Sequence, residues 1–197
     1  MKINQRYVKV WDAPVRIFHW ATVLGVIGAY LSAKFHVGLL HTMIGYTLTF
    51  FLITRIIWGF IGNQYARFSS FLYSPSTIIT YVQTIVRGSP AYFYGHNPAG
   101  AVMVFALLTF MALILLTGLA TLAMIDFEGP FYFLLEQVND NISYLVHHLH
   151  NWLVDGLLIL VLFHILGVAF SSFQHQENLV YAMITGVKRK YSAHQPK

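Results

Sequence analysis

The sequence predicts an all-α integral membrane protein: a four-helix bundle built as one domain over residues 1–197. Three observations predict it. Apolar side chains make up 57% of the chain and charged ones only 10%, where an ordinary soluble domain has about 25% charged. Four apolar stretches each reach about the 20 residues a helix needs to cross a bilayer. Basic side chains gather on alternate connections, which gives the four stretches one consistent sense of insertion.

The elements follow in order. The first span is expected at about residues 15–33. In "WDAPVRIFHW", Asp12 suits a helix cap and Pro14 an early helical position, where no intrahelical partner awaits its missing N–H. Basic Lys2, Arg6 and Lys9 precede this run, as in a leader, but no clean small-x-small site follows before Lys34. The run is therefore read as a retained span. The second span is expected at about 39–61, ending at "FIGNQ". Residues 62–96 hold "SPSTIITYVQTIVRGSP", an apolar-rich helix between two Ser-Pro pairs, expected in the interface plane. "GHNPAG" opens the third span, about 98–125, with Asn97 as cap and Pro98 first in the helix. A loop follows, with a short helix expected in "FYFLLEQV". The fourth span covers about 145–170, and its helix is expected to begin earlier, near Asn139.

Charge sets the expected topology. Lys2, Arg6, Lys9 and Arg16 lie before or at the start of the first span. Arg67 and Arg87 lie between the second and third, and Lys188, Arg189, Lys190 and Lys197 after the fourth. The loop after the third span carries Asp126, Glu128, Glu136 and Asp140 and no Lys or Arg. The positive-inside rule then puts both termini and the long middle connection in the cytoplasm, with only Lys34 among the basic residues outside. The net charge of +5 follows this topology, so the partner it implies is the lipid bilayer and not nucleic acid. The absence of cysteine excludes disulfides, thiolate metal sites, iron–sulfur clusters and covalently attached haem.

Ten histidines in so apolar a chain raise the question of function. With the spans oriented, His19 lies near the cytoplasmic end of the first span and His41 near the outer end of the second. His150 lies near the outer end of the fourth, and His164 fourteen residues further on. That separation is about 21 Å of helix and close to four whole turns, so the two rings face nearly the same way. His19 and His164 thus share one level, and His41 and His150 the other. Two imidazoles from different helices at each level are what a six-coordinate haem iron requires.

Neighbouring residues fit. Gly45 lies four residues after His41 and Gly167 three after His164, on the ligand faces, leaving room for a porphyrin. Arg55, fourteen residues after His41, falls at the cytoplasmic level. An arginine in a span is costly and needs a partner, and a haem propionate would serve; Arg16 is a second candidate. Plainer readings exist for each. A span histidine can bond a neighbouring helix, the glycines can mark close helix packing, and Arg55 can snorkel to the interface. His147 or His148 could replace His150. His36, His96, His175 and His194 are expected to be solvated.

"KVWDAPVRIFHW", "HTMIGY", "GHNPAG", "HNWLVDGLLILVLFH" and "NLVYAMITGVKRK" resemble, in this order and over nearly the whole chain, the bacterial cytochrome b561 family. That family includes the b-type cytochrome subunit of nickel–iron hydrogenases. The resemblance implies a four-helix membrane bundle with two non-covalent haems b. Their ligands fall one on the first span, one on the second and two on the fourth, at positions matching His19, His41, His150 and His164. One departure is "VHHLHN", where relatives tend to carry an acidic or polar residue before a single histidine.

The expected function is electron transfer across the bacterial inner membrane, since bis-histidine ligation leaves no open iron position. The resemblance implies a periplasmic partner, a c-type cytochrome or a hydrogenase, and the quinone pool on the other side of the reaction. The acidic loop could steer a basic partner, or merely follow topology. Some relatives oxidise small reductants at the outer face. Two haem-free readings compete: a metal transporter, which would want carboxylates beside its histidines although only Asp155 lies in a span, and a structural anchor subunit.

Overall fold

The computed structural model describes residues 7–135 and 137–190. Lys2, Arg6, Glu136, His194 and Lys197 lie outside the described residues. The chain is an all-α membrane bundle. Its four long apolar helices are α1 (Ala13–Lys34), α2 (Gly38–Ile61), α4 (Pro98–Ile125) and α6 (Asp140–Gln174), with α3 (Pro75–Val86), α5 (Tyr132–Leu135) and α7 (Leu179–Thr185) between and after them. A small feature was not expected. The strands β1 (Tyr7–Lys9) and β2 (Val187–Arg189) pair antiparallel, Val8 opposite Lys188.

Local chemistry explains the boundaries. Asp12 caps α1: its Oδ1 accepts from the Val15 N–H at 3.2 Å, while its Oδ2 accepts from Trp58 Nε1 at 2.8 Å. At the other end of α1, His36 adopts the left-handed conformation (φ 58°) while its N–H bonds Ala33 O. Ser74 caps α3 and Pro75 starts it. Asn97 Oδ1 accepts from the Gly100 N–H at 2.7 Å, and Pro98 is the first residue of α4. The helix α6 begins at Asp140, beyond the apolar run, because a helix continues until its cap whatever the polarity of its first turns.

The chain divides into two compact units. Among the described residues, the first comprises 7–19, 55–102 and 164–190, the second 20–54, 103–135 and 137–163. The first has a small mixed core of Val10, Trp11, Val15, Ala66 and Ala182, with Trp58, Tyr65 and Tyr94 against it. Gly186 ends α7 at φ 85° with its carbonyl bonded by the Val10 and Trp11 N–H groups. A Cβ there would collide with Trp11 O, so both conformation and space demand glycine. Lys188 is buried (5% exposed) and pairs with Glu177 at 3.1 Å. Tyr92 Oη donates to Glu177 at 3.3 Å, and burial followed by the Glu177 charge holds its O–H well above its ordinary pKa of 10.

The second unit is helix against helix. A Cβ on Gly25 would lie 2.6 Å from Leu48, one on Gly28 3.1 Å from Ile44, and one on Gly156 2.6 Å from Phe110. Small residues let backbones approach where hydrocarbon solvent supplies little drive for association. Most other large apolar side chains here are exposed, among them Leu24, Phe50, Leu116 and Trp152, as suits a surface solvated by lipid.

Candidate haem-binding sites

Two histidine pairs form, one within each unit. In the first, the rings of His19 (α1) and His164 (α6) lie 6.4 Å apart between centroids, inclined by 52°. In the second, His41 (α2) and His150 (α6) lie 6.3 Å apart at 83°. All four are half-buried. A metal held between two imidazoles at roughly 2 Å per metal–nitrogen bond sets the ring centroids roughly 6 Å apart. Both pairs have that separation, so the donor sets fit axial ligation of a haem iron.

The second pair is also oriented. His41 Nδ1 lies 2.9 Å from Ala29 O, and His150 Nδ1 3.0 Å from Ile114 O and 3.2 Å from Thr117 Oγ1. A neutral imidazole carries one N–H. With that proton on Nδ1, donating to a carbonyl, each Nε2 keeps its lone pair for a metal. The Thr117 hydroxyl donates to Leu113 O or Ile114 O, so its lone pair is what faces His150. Gly118 makes the approach feasible, since a Cβ there would lie 3.1 Å from His150 Cε1. Sequence reasoning passed over Ile114, Thr117 and Gly118. The available signal was a Thr-Gly pair inside an otherwise aliphatic stretch. His147 and His148 are exposed, and His147 Nε2 is 3.4 Å from Asn151 Nδ2; neither ring belongs to the pair with His41.

The glycines chosen from sequence have open surroundings. A Cβ on Gly45 or Gly167 would meet nothing within 4 Å, so neither is a close helix contact.

Arg55 is 4% exposed and does not snorkel, because its guanidinium is held inside the first unit. Nη2 donates to Ala66 O at 3.3 Å and the group sits 4.8 Å above the Phe68 ring, while Nη1 is buried with no hydrogen-bond partner. Arg16 Nη1 donates to Ile184 O, and its Nε is likewise buried and unsatisfied. Two cationic groups with an unused donor apiece, in the unit of His19 and His164, suit carboxylate recognition.

His96 corrects an expectation. It is half-buried rather than solvated: its ring packs 4.8 Å from Trp11 and 4.5 Å from Phe71, and its Nδ1 is buried without a partner. Burial first, then the Arg55 and Lys188 cations, pulls it down to about 3, so it is neutral. His36 is exposed, and His175 packs its ring edge-on against Tyr92 at 5.6 Å.

A bundle of apolar helices with imidazoles paired across them, and no cysteine for covalent attachment, defines a class: the b-type membrane cytochromes. The chain belongs to the prokaryotic cytochrome b561 family, whose model matches residues 10–186. It is similar to a protein of Rhizobium leguminosarum bv. viciae named "Probable Ni/Fe-hydrogenase B-type cytochrome subunit", 25% identical over 93% of this chain and 90% of that one. A protein of the same name from Bradyrhizobium diazoefficiens is 24% identical, over 95% and 88%. The "Probable Ni/Fe-hydrogenase 1 B-type cytochrome subunit" of Escherichia coli (strain K12) is 24% identical, over 91% and 89%. No solved structure matches. The chain is thus a multi-pass protein of the bacterial inner membrane that transfers electrons by way of b-type haem.

Proposed function

We propose that residues 1–197 form one di-haem domain that carries electrons across the membrane between a periplasmic redox partner and the quinone pool. His19 and His164 would hold one haem b near the cytoplasmic face, His41 and His150 a second near the outer face, with both termini cytoplasmic. Haem b, when bound, would supply reversible one-electron chemistry. The chain's own residues do the rest. Ala29 and Ile114 carbonyls fix the tautomer and direction of His41 and His150. Arg16 and Arg55 would bind propionates. Gly45 and Gly167 leave the macrocycle room. Half-burial of all four rings limits water at the ligating nitrogens.

One observation carries this reading: two pairs of imidazoles, each drawn from two helices, at 6.4 and 6.3 Å. Among the described residues no three His, Cys, Asp or Glu side chains converge, whereas a transporter site would gather a mixed set. An anchor subunit would have no use for oriented imidazoles.

The hydrogenase named in the relatives' titles, or a c-type cytochrome, is the partner this reading assigns; a small reductant at the outer face is the alternative. A cavity of about 310 Å³ in the first unit, lined by Gln64, Tyr65, Tyr73, Tyr92 and Tyr94 among its walls, would offer a quinone ring aromatic faces, while the Tyr73 and Tyr92 hydroxyls already donate to His96 O and Glu177. The test is spectroscopic. Purified protein should give a b-type reduced-minus-oxidised difference spectrum, two haems per chain on extraction, and reoxidation by a quinone added to the reduced protein. One haem per chain would end the two-site reading, and a colourless protein would end both.

A further inference from the structure

The helix α6 carries a charge that haem binding does not use. Asp155 follows His150 by five residues and precedes His164 by nine. At 3.6 residues per turn it lies about 140° around the helix from the first and about 180° from the second. It therefore faces away from both ligand positions. Its side chain is exposed, and no hydrogen bond or ion pair among the described residues involves it. The same face presents Leu145, Trp152, Ile159 and Leu162, each more than half exposed. A carboxylate in the middle of a lipid-facing stripe has no solvent to stabilise it, and such groups in spans are normally paired.

We propose that this outward face of α6 docks a transmembrane helix of a different polypeptide, one that places a lysine, arginine or histidine opposite Asp155. Charge complementarity selects this occupant. A second copy would set Asp155 against Asp155. Among the described residues, its spans offer no free cation at that depth: Arg16 and Lys34 lie at the two ends of α1, Arg55 is buried, and α4 has no charged residue. His19, His41, His150 and His164 are half-buried in their pairs, and His147 and His148 lie about two turns from Asp155. Hydrocarbon tails offer no donor. Trp152 and Ile159, one turn to either side of Asp155, supply the apolar contact around the ion pair, which excludes competing polar groups and strengthens it.

The experiment places a photoreactive amino acid at Trp152, and separately at Ile159, in the full-length haem-loaded chain in its native membranes. Crosslinked peptides are identified by mass spectrometry. The expected product is a membrane-spanning peptide of another protein with a basic residue within a turn of the crosslink. Asp155→Leu and Asp155→Asn should each lower its yield by about tenfold or more, with the b-type spectrum unchanged to show that the bundle still folds. Asp155→Lys combined with replacement of the partner's basic residue by Asp should restore it. A crosslink between two copies of this chain, adducts to lipid alone, a partner peptide without a basic residue, or a yield indifferent to Asp155 would each overturn the proposal.

Discussion

The two units solve the same problem with different materials. Each brings two histidines from different helices to almost the same separation. In the second unit the rings are aimed by the backbone, through Ala29 O and Ile114 O, and admitted by a missing Cβ at Gly118. In the first, the pair shares its unit with two arginines holding unsatisfied donors, a small aromatic core and the buried pair Lys188–Glu177. The physical lesson concerns solvent. Around the His41 and His150 rings, within an apolar helix pair, the polar partners are the Ala29 and Ile114 carbonyls and the Thr117 hydroxyl, as expected where polar groups must be satisfied within the protein. The first unit instead holds charged side chains, Arg16, Arg55 and the Lys188–Glu177 pair.

The largest effect expected from this contrast is on cofactor content. His41→Ala or His150→Ala should remove one haem per chain and leave the other, while His19→Ala or His164→Ala should do the converse, as read by haem extraction and low-temperature difference spectra. Loss of both haems from every single variant would mean that the units are not independent. His147→Ala and His148→Ala should keep both haems; loss of one would transfer the ligand role from His150.

A smaller effect is expected from Glu177→Ala, which leaves Lys188 buried without its anion. Breaking such a pair costs about 3 kcal/mol. The haem of the first unit should then be released at lower temperature, with the other unmoved. Gly118→Ala acts in the opposite sense. Its Cβ would press on His150, and overpacking costs about 1–3 kcal/mol. The readout is a shifted or broadened absorption band for one haem only, and equal disturbance of both would remove the distinction between the units.

The smallest effect is alkaline. Tyr92 keeps its proton in the folded chain above its ordinary value, through burial and the Glu177 charge. For a group whose folded pKa is raised, the stabilisation is present below pH 10 and lost as pH climbs through the folded value. Melting of the first unit should therefore be flat from pH 7 to 9 and fall above 10, and Tyr92→Phe should abolish that fall. A decline that persists in Tyr92→Phe would assign it to another group.

Much of this was legible beforehand, for identifiable reasons. Spans, caps and the early start of α6 are local: Asp12, Ser74 and Asn97 act within three residues, and apolar length is a property of the chain itself. The histidine pairing was legible because helix rise and facing are fixed by geometry once the spans are known. Less legible were Ile114, Thr117 and Gly118, since nothing in an aliphatic stretch says which carbonyl a distant imidazole meets. His96 misled because a histidine beside Gly, Asn and Pro has the composition of a wet loop, and its partial burial comes from Trp11 and Phe71, far away in the chain. The burial of Lys188 was equally illegible, since it comes from the pairing of β2 with β1, at the other end of the chain, and from Glu177.

By itself, then, the order of residues determined that four helices are long and apolar enough to cross the membrane, that His19, His41, His150 and His164 lie on three of them, and that no cysteine chemistry is available. These depend on hydrophobicity and helical repeat, which act along the chain. Only the folded arrangement decided which imidazole nitrogen is held and which is left for a metal, which arginine is enclosed, and that Asp155 looks outward. Those depend on what another segment brings within 3 or 4 Å, and contact between distant segments has no signature in either segment alone.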